Sequence, residues 1–243
     1  MFSARELSGA RVLANRVKIK YTMKKAILFG ASGFIGGYLV DELLKDADYE
    51  KVMIVVRRNL DIHHPKLETI IGDYRSLPGL KGNLVADEIF IALGTTKKNT
   101  PDRNEYYQAD HDYPVLAAKI AKENGAKSVF VVTAVGADAN SGIFYIKTKG
   151  EVERDIIGLD FEHTHIFRPS MLMGSRKEHR PTEKALIRIW SVINRVFIGK
   201  LNRYRGIDGA AVAKAMVNAA KNQSEKVKIY QWKEMSDLLQ MKG

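Results

Sequence analysis

The chain contains no cysteine. Disulfides, thiolate nucleophiles and cysteine-ligated zinc are thereby excluded, and the composition suits a reducing compartment. A cytoplasmic protein is the expectation. Histidine is sparse, with six residues and no His-Glu-x-x-His spacing. His63-His64 beside Pro65 reads as loop, and His163 and His165 would share one face of a strand, so no metal site is expected. No apolar run approaches the roughly 20 residues a membrane span requires. Internal repeats and low-complexity linkers are absent as well.

Acidic residues are scarce only at the two ends. Residues 1–22 hold five basic side chains against one acidic, and residues 175–243 hold 15 against six, whereas residues 23–174 hold 19 against 21. The net charge of +11 thus lies outside a nearly neutral centre. Such asymmetry suits an anionic partner of the C-terminal third: an acidic substrate group, an acidic protein or an anionic membrane surface. A merely solubilising basic surface fits equally. No nucleic-acid module accompanies the charge, so nucleic acid is not an expected partner.

What remains is a chain of 243 residues, 45% hydrophobic and 28% charged, enough for one sizeable globular core. Residues 1–22 carry Arg5, Arg11, Arg16, Lys18 and Lys20 against Glu6 alone. They have the composition of a transit peptide but read here as an N-terminal extension, because Met23-Lys24-Lys25 directly precedes the first strand-like run. A single domain is expected over residues 23–243, with a small substrate or partner region from about residue 171. Strand-like runs at Ala26–Phe29, Lys51–Val56, Leu67–Ile71, Glu88–Ala92, Ser128–Thr133 and Thr164–Phe167 alternate with helix-like stretches near 34–46, 103–124, 144–157, 182–199 and 208–221. Alternation of this kind predicts an α/β fold of three layers, a doubly wound parallel sheet between helices, Rossmann-type.

The most informative segment is Gly30-Ala-Ser32-Gly33-Phe34-Ile35-Gly36, set between the first strand and the first helix. Strand, glycine bend and helix in this order present backbone N–H groups and a helix N-terminus to a pyrophosphate. The second strand ends in Arg57-Arg58, where NAD-specific folds place a carboxylate for the ribose 2′-hydroxyl. Guanidinium groups there suit a 2′-phosphate, so NADP(H) is the expected cofactor. A second signal is Tyr145-Ile-Lys-Thr-Lys149, whose spacing of four puts phenol and ammonium on one helix face. An ammonium there would lower the tyrosine pKa and make Tyr145 a proton donor near neutrality. The same spacing recurs at Tyr21 and Lys25, but ahead of the glycine bend, where it cannot serve.

Taken in order, the glycine bend, Thr133-Ala-Val-Gly136, Tyr145-x-x-x-Lys149 and Arg168-Pro169-Ser170 resemble the short-chain dehydrogenase/reductase superfamily. Leu93-Gly94-Thr95-Thr96, Asp110-His-Asp112-Tyr113, Lys149-Gly150-Glu151-Val152-Glu153 and Phe167-Arg168-Pro169 are similar to its atypical branch of Tat-interacting tumour-suppressor-like oxidoreductases. The resemblance spans residues 24 to about 190. It implies Tyr145 as general acid/base, Lys149 on the nicotinamide ribose, and Thr133 in the place of a serine that holds the substrate oxygen. The family's asparagine on the preceding helix has no match here. Position also implies cofactor contacts at Asp73 and Tyr74, at Leu93, Gly94 and Thr95, and at Pro169 and Ser170. The expected reaction moves a hydride between NADP(H) and a carbonyl or alcohol. A cofactor-binding regulatory protein is the alternative, and a sugar-nucleotide epimerase the third. The basic stretch with Lys184, Arg188 and Arg195 on one face reads as a helix over the sheet or a membrane-surface helix.

Overall fold

The computed structural model describes residues 23–174 and 199–241. The expected extension at residues 1–22 and the expected basic helix at 182–199, all but its last residue, lie outside the described residues.

The expected sheet forms from six of its seven strands. They are β1 (Lys24–Phe29), β2 (Tyr49–Val56), β3 (Leu67–Ile71), β4 (Glu88–Ile91), β5 (Ser128–Val132) and β6 (His163–Phe167). All pair in parallel, in the order β3-β2-β1-β4-β5-β6, and a seventh strand, Val227–Tyr230, adds to β6. Strand order reverses between β1 and β4, and in open sheets of this type the crevice at that reversal receives ligands.

Side chains alternate across each strand, so the sheet feeds two cores. Ala26, Leu28, Val52, Ile54, Phe90 and Phe130 join one cluster; Ile27, Phe29, Met53, Val55, Ile89 and Val129 join the other. Helix α1 (Phe34–Lys45) covers the first face through Ile35, Leu39 and Leu43, as their spacing predicts. Complete burial of a leucine stabilises by about 2 kcal/mol. The opposite face is covered by a longer helical segment. It runs as α2 (Arg103–Tyr107), a π-turn at Gln108–Asp112, and α3 (Tyr113–Glu123), with α4 (Phe144–Gly158) beside it. Asp102 opens α2 by accepting from the amides of Asn104 and Glu105.

After β6 the chain makes a short parallel pair, β7 (Leu172–Met173) with β8 (Ile207–Asp208). Helix α5 (Gly209–Lys221) then packs on α1, with Val212 and Met216 in the α1 core, followed by β9 (Val227–Tyr230) and α6 (Trp232–Gln240). The described C-terminal residues therefore complete the same sheet. Strands β7, β8 and β9 and helix α6 escape the sequence reading. Strand β9 has only four residues, and three are partly or fully exposed at the sheet edge, so no apolar run marks it. Helix α6 did carry a signal: Gln231 and Glu234 form a reciprocal capping box.

Candidate active site

The glycine bend is shaped by backbone crowding. Gly30 has φ +93°, and a Cβ on it would lie 2.4 Å from the Ala92 carbonyl oxygen. A Cβ on Gly36 would lie 1.9 Å from the Gly30 carbonyl oxygen, so no side chain fits where α1 crosses β1. The Gly33 amide donates to the Gly30 carbonyl at 2.8 Å and closes the turn. Gly33 caps α1 without a side-chain acceptor. The first turn of any helix leaves amides without an intrahelical acceptor, and with the helix dipole behind them such a terminus suits an anion. Ser32 is exposed at the bend. The ring of Phe34 serves a different end: it packs where Gly174 and Gly209 leave room for it, binding the bend to the β7–β8 region.

Along the β2–β3 side, Arg57 and Arg58 stand exposed at the end of β2. Asp73 follows β3, but its Oδ1 is engaged by the chain itself. It accepts from the Arg75 amide, the Ser76 amide and the Ser76 hydroxyl at 2.9–3.1 Å. The Ser76 hydrogen bonds hold the Asp73 carboxyl below its usual range. Tyr74 meets Tyr113 edge-on at 6.0 Å, and Tyr113 meets Phe29 at 5.9 Å. Burial pushes the Tyr113 phenol up to about 12, with Asp73 adding to the rise and Arg57 opposing it. Arg57, Asp73 and Tyr113 are thus electrostatic neighbours at this end.

The other end is a network of buried charge. Asp110, on the π-turn, is 1% exposed, and its Oδ1 accepts from the Thr95 amide at 2.6 Å. Its Oδ2 lies 3.0 Å from Lys149 Nζ, itself on a residue only 6% exposed. That contact is an ion pair without hydrogen-bond alignment, so Oδ2 keeps an unused lone pair in a dry site. Gly94 lies beside both groups: a Cβ there would be 3.8 Å from Asp110 Oδ1 and from Lys149 Nζ. Leu93 is half-buried just before it. Tyr145, one turn before Lys149, is 43% exposed.

Three expectations are corrected here. Lys149 does not lower the Tyr145 pKa; burial raises it first and the Asp110 charge raises it further. The ammonium that would have favoured the phenolate is already matched by a carboxylate. Thr133 does not present its hydroxyl to a substrate. It is 5% exposed and donates to Glu153 Oε1 at 2.6 Å, while Arg168 pairs with both oxygens of Glu153. The next residue, Ala134, has no hydroxyl to replace it. Ser170, likewise, donates to the Arg205 carbonyl at 2.5 Å and so ties β6 to the segment before β8. Pro169 is buried, its carbonyl accepting from the Val135 amide at 3.0 Å.

Gly150 explains the close seat of α4. A Cβ there would lie 2.1 Å from the Ala139 amide nitrogen, so the loop after β5 presses directly on the helix backbone. Sequence reasoning missed two site residues, Asp110 and Glu153. Both lay within segments already noted for resemblance, Asp110-His-Asp112-Tyr113 and Gly150-Glu151-Val152-Glu153. The available signal was the absence of a matching asparagine, which pointed to another polar residue on the helix before β5.

A glycine bend between the first strand and first helix of a parallel sheet, at the reversal of strand order, defines an NAD(P)-binding domain of Rossmann type. A family model described as NAD(P)H-binding matches residues 30–223. A relative from Eremothecium gossypii, "Protein FMP52, mitochondrial", is 34% identical over 74% of this chain and 77% of its own length. That of Saccharomyces cerevisiae, with the same name, is 30% identical over 84% of this chain and 90% of its own. Among solved structures, MoeE5 in complex with UDP-glucose and NAD superposes with a TM-score of 0.62 at 18% identity, covering 88% of this chain and 80% of that one. The chain belongs to the NAD(P)H-binding family and, within it, to the FMP52 proteins. The relatives' mitochondrial designation overturns the cytoplasmic expectation. Absence of cysteine had indicated only a reducing environment, which does not specify an organelle.

Proposed function

We propose that the protein is an NADP(H)-dependent oxidoreductase of the atypical short-chain type, acting on a carbonyl or alcohol, with Tyr145 as general acid/base. The observation that carries this reading is the placement of Tyr145, Lys149 and Asp110 at the same carboxyl edge of the sheet as the glycine bend. The residues fit a nicotinamide dinucleotide. The glycine bend and the N-terminal end of α1 would hold its pyrophosphate, Lys149 and the spare Asp110 Oδ2 its ribose hydroxyls, and Arg57 with Arg58 a 2′-phosphate. When bound, the nicotinamide supplies or accepts the hydride. The protein's own contribution is to hold a proton on Tyr145 and to limit water around Lys149. The resemblance to the Tat-interacting branch supports the atypical assignment. The mitochondrial names of the relatives, with the arginine-rich, acid-poor residues 1–22, favour a mitochondrial protein.

Replacing Tyr145 by phenylalanine tests the reading. NADPH oxidation against a carbonyl panel should fall about 10²–10⁴-fold, the range for losing a general acid, while NADPH affinity stays unchanged. Wild-type protein that binds NADPH but reduces no carbonyl would instead favour a cofactor-binding regulatory protein. One observation favours that second reading: Thr133 is committed to Glu153, leaving the site without the hydroxyl that would hold a substrate oxygen.

A further inference from the structure

Resting on the oxidoreductase reading, the inference concerns why a carboxylate stands beside the active-site lysine. Asp110 reaches the site because the helix between β4 and β5 makes a π-turn at Gln108–Asp112, and such turns in helices often mark functional positions. Its Oδ1 is held by the Thr95 amide, and its Oδ2 lies 3.0 Å from Lys149 Nζ. The carboxylate is 1% exposed and the lysine 6%, so each is the other's main electrostatic partner with little solvent between. Other titratable groups among the described residues bear on this corner. Tyr106 of α2 is a neighbour of both, its phenol raised by burial first and then by the charges of Asp110 and Tyr145. Glu153, a turn beyond Lys149 on α4, is bound to Arg168.

We propose that Asp110 is a positioning residue, the counter-ion that holds Lys149 in the site and keeps Tyr145 in its proton-donating form, so that the protein works as a carbonyl reductase rather than an alcohol dehydrogenase. A neutral amide at this position would orient the lysine and leave its charge free to favour the phenolate. A carboxylate orients it and cancels that charge. Reduction then proceeds with the Tyr145 O–H bond breaking and its proton passing to the substrate oxygen. A reduced nicotinamide, when bound, would supply the hydride that the carbonyl carbon accepts, and a proton from water would return the Tyr145 phenolate to the phenol. The reverse reaction needs a phenolate at the outset, and Asp110 works against it. The Tyr145 phenol lies above its ordinary value for this reason as well as through burial.

The test reads the proton itself. Full-length protein carrying tyrosine labelled with ¹³C at Cζ is titrated by NMR, without cofactor or substrate, and the Tyr145 resonance is identified by its loss in Tyr145→Phe. In Asp110→Asn the Tyr145 midpoint should fall by about one pH unit or more, the size expected when a like charge is removed and an ammonium is released. Asp110→Glu should keep the midpoint high. If Asp110→Asn does not fold, Lys149→Gln serves instead: with the carboxylate unopposed, the midpoint should rise. Coincident midpoints in wild type and a folded Asp110→Asn, or an unmoved midpoint in Lys149→Gln, would overturn the proposal. Because the titration involves no turnover, failure to reduce any carbonyl would count against the oxidoreductase reading alone.

Discussion

At the β1–β3 end of the sheet the site is shaped by side chains that are missing, whereas at the β5–β6 end it is shaped by charges that are buried. The glycine bend takes its shape because Gly30 and Gly36 leave no room for a Cβ. Its charged side chains, Arg57, Arg58 and Asp73, are exposed. Across β5, α4 and β6, Asp110, Lys149 and Glu153 are each no more than 6% exposed and paired with an opposite charge. The two ends should therefore fail differently. Substitution at the first changes affinity with little effect on stability, except at the glycines themselves. Substitution at the second changes stability and protonation together.

The largest effect is expected at Glu153. Its removal in Glu153→Ala strands Arg168 and Thr133, and breaking one partner of a buried pair costs about 3–5 kcal/mol. Urea unfolding measures this, and a loss below about 1 kcal/mol would show that charge burial is not what holds this end together. Gly150→Ala comes next. The added methyl meets the Asp138–Ala139 backbone, and overpacking against an unyielding backbone costs about 3 kcal/mol. Unchanged stability would mean that the loop after β5 moves aside freely.

A third difference concerns pH. His165 is fully buried in β6, stacked on Phe130 with ring centroids 4.7 Å apart and its Nδ1 2.8 Å from the Tyr230 hydroxyl. Burial pulls its pKa down to about 4, so the folded chain keeps it neutral while the unfolded chain protonates near pH 6.5. Stability from this group is complete above pH 6.5 and is lost as pH falls toward 4, about 3 kcal/mol in all. Thermal unfolding across that window should be less steeply pH-dependent in His165→Phe than in wild type. Equal slopes would remove His165 as the source. The smallest effect is expected at the exposed end. Arg57→Ala with Arg58→Ala should weaken NADPH binding about tenfold, or 1.4 kcal/mol, and leave NADH binding and stability unchanged. Equal losses for both nucleotides would assign the arginines to the pyrophosphate instead of the 2′-phosphate.

The same division explains what the sequence disclosed. Features made by backbone and periodicity were legible: six strands, the glycine bend, α1 and the helix that carries both Tyr145 and Lys149. Glycines and apolar spacing carry their meaning locally. The charge pairing was not legible, because Asp110 and Lys149 are 39 residues apart and meet only after two helices pack. Without that partner, Tyr145–Lys149 spacing gave the wrong sign for the phenol. Thr133 was misjudged for a similar reason: its acceptor, Glu153, lies 20 residues downstream on α4. Strand β9 remained hidden because an edge strand of four residues buries too little to show an apolar pattern.

A π-turn amounts to one surplus residue threaded into a helix, and successive helical residues point about 100° apart. Deleting that surplus, as a single lost codon would, turns the residues ahead of the deletion by about 100° relative to α3 and swings position 110 away from the lysine. The electrical character of that end thus hinges on chain length as well as on residue identity. Members of such a lineage could gain or shed the counter-ion through an insertion or deletion, with every surrounding letter unchanged.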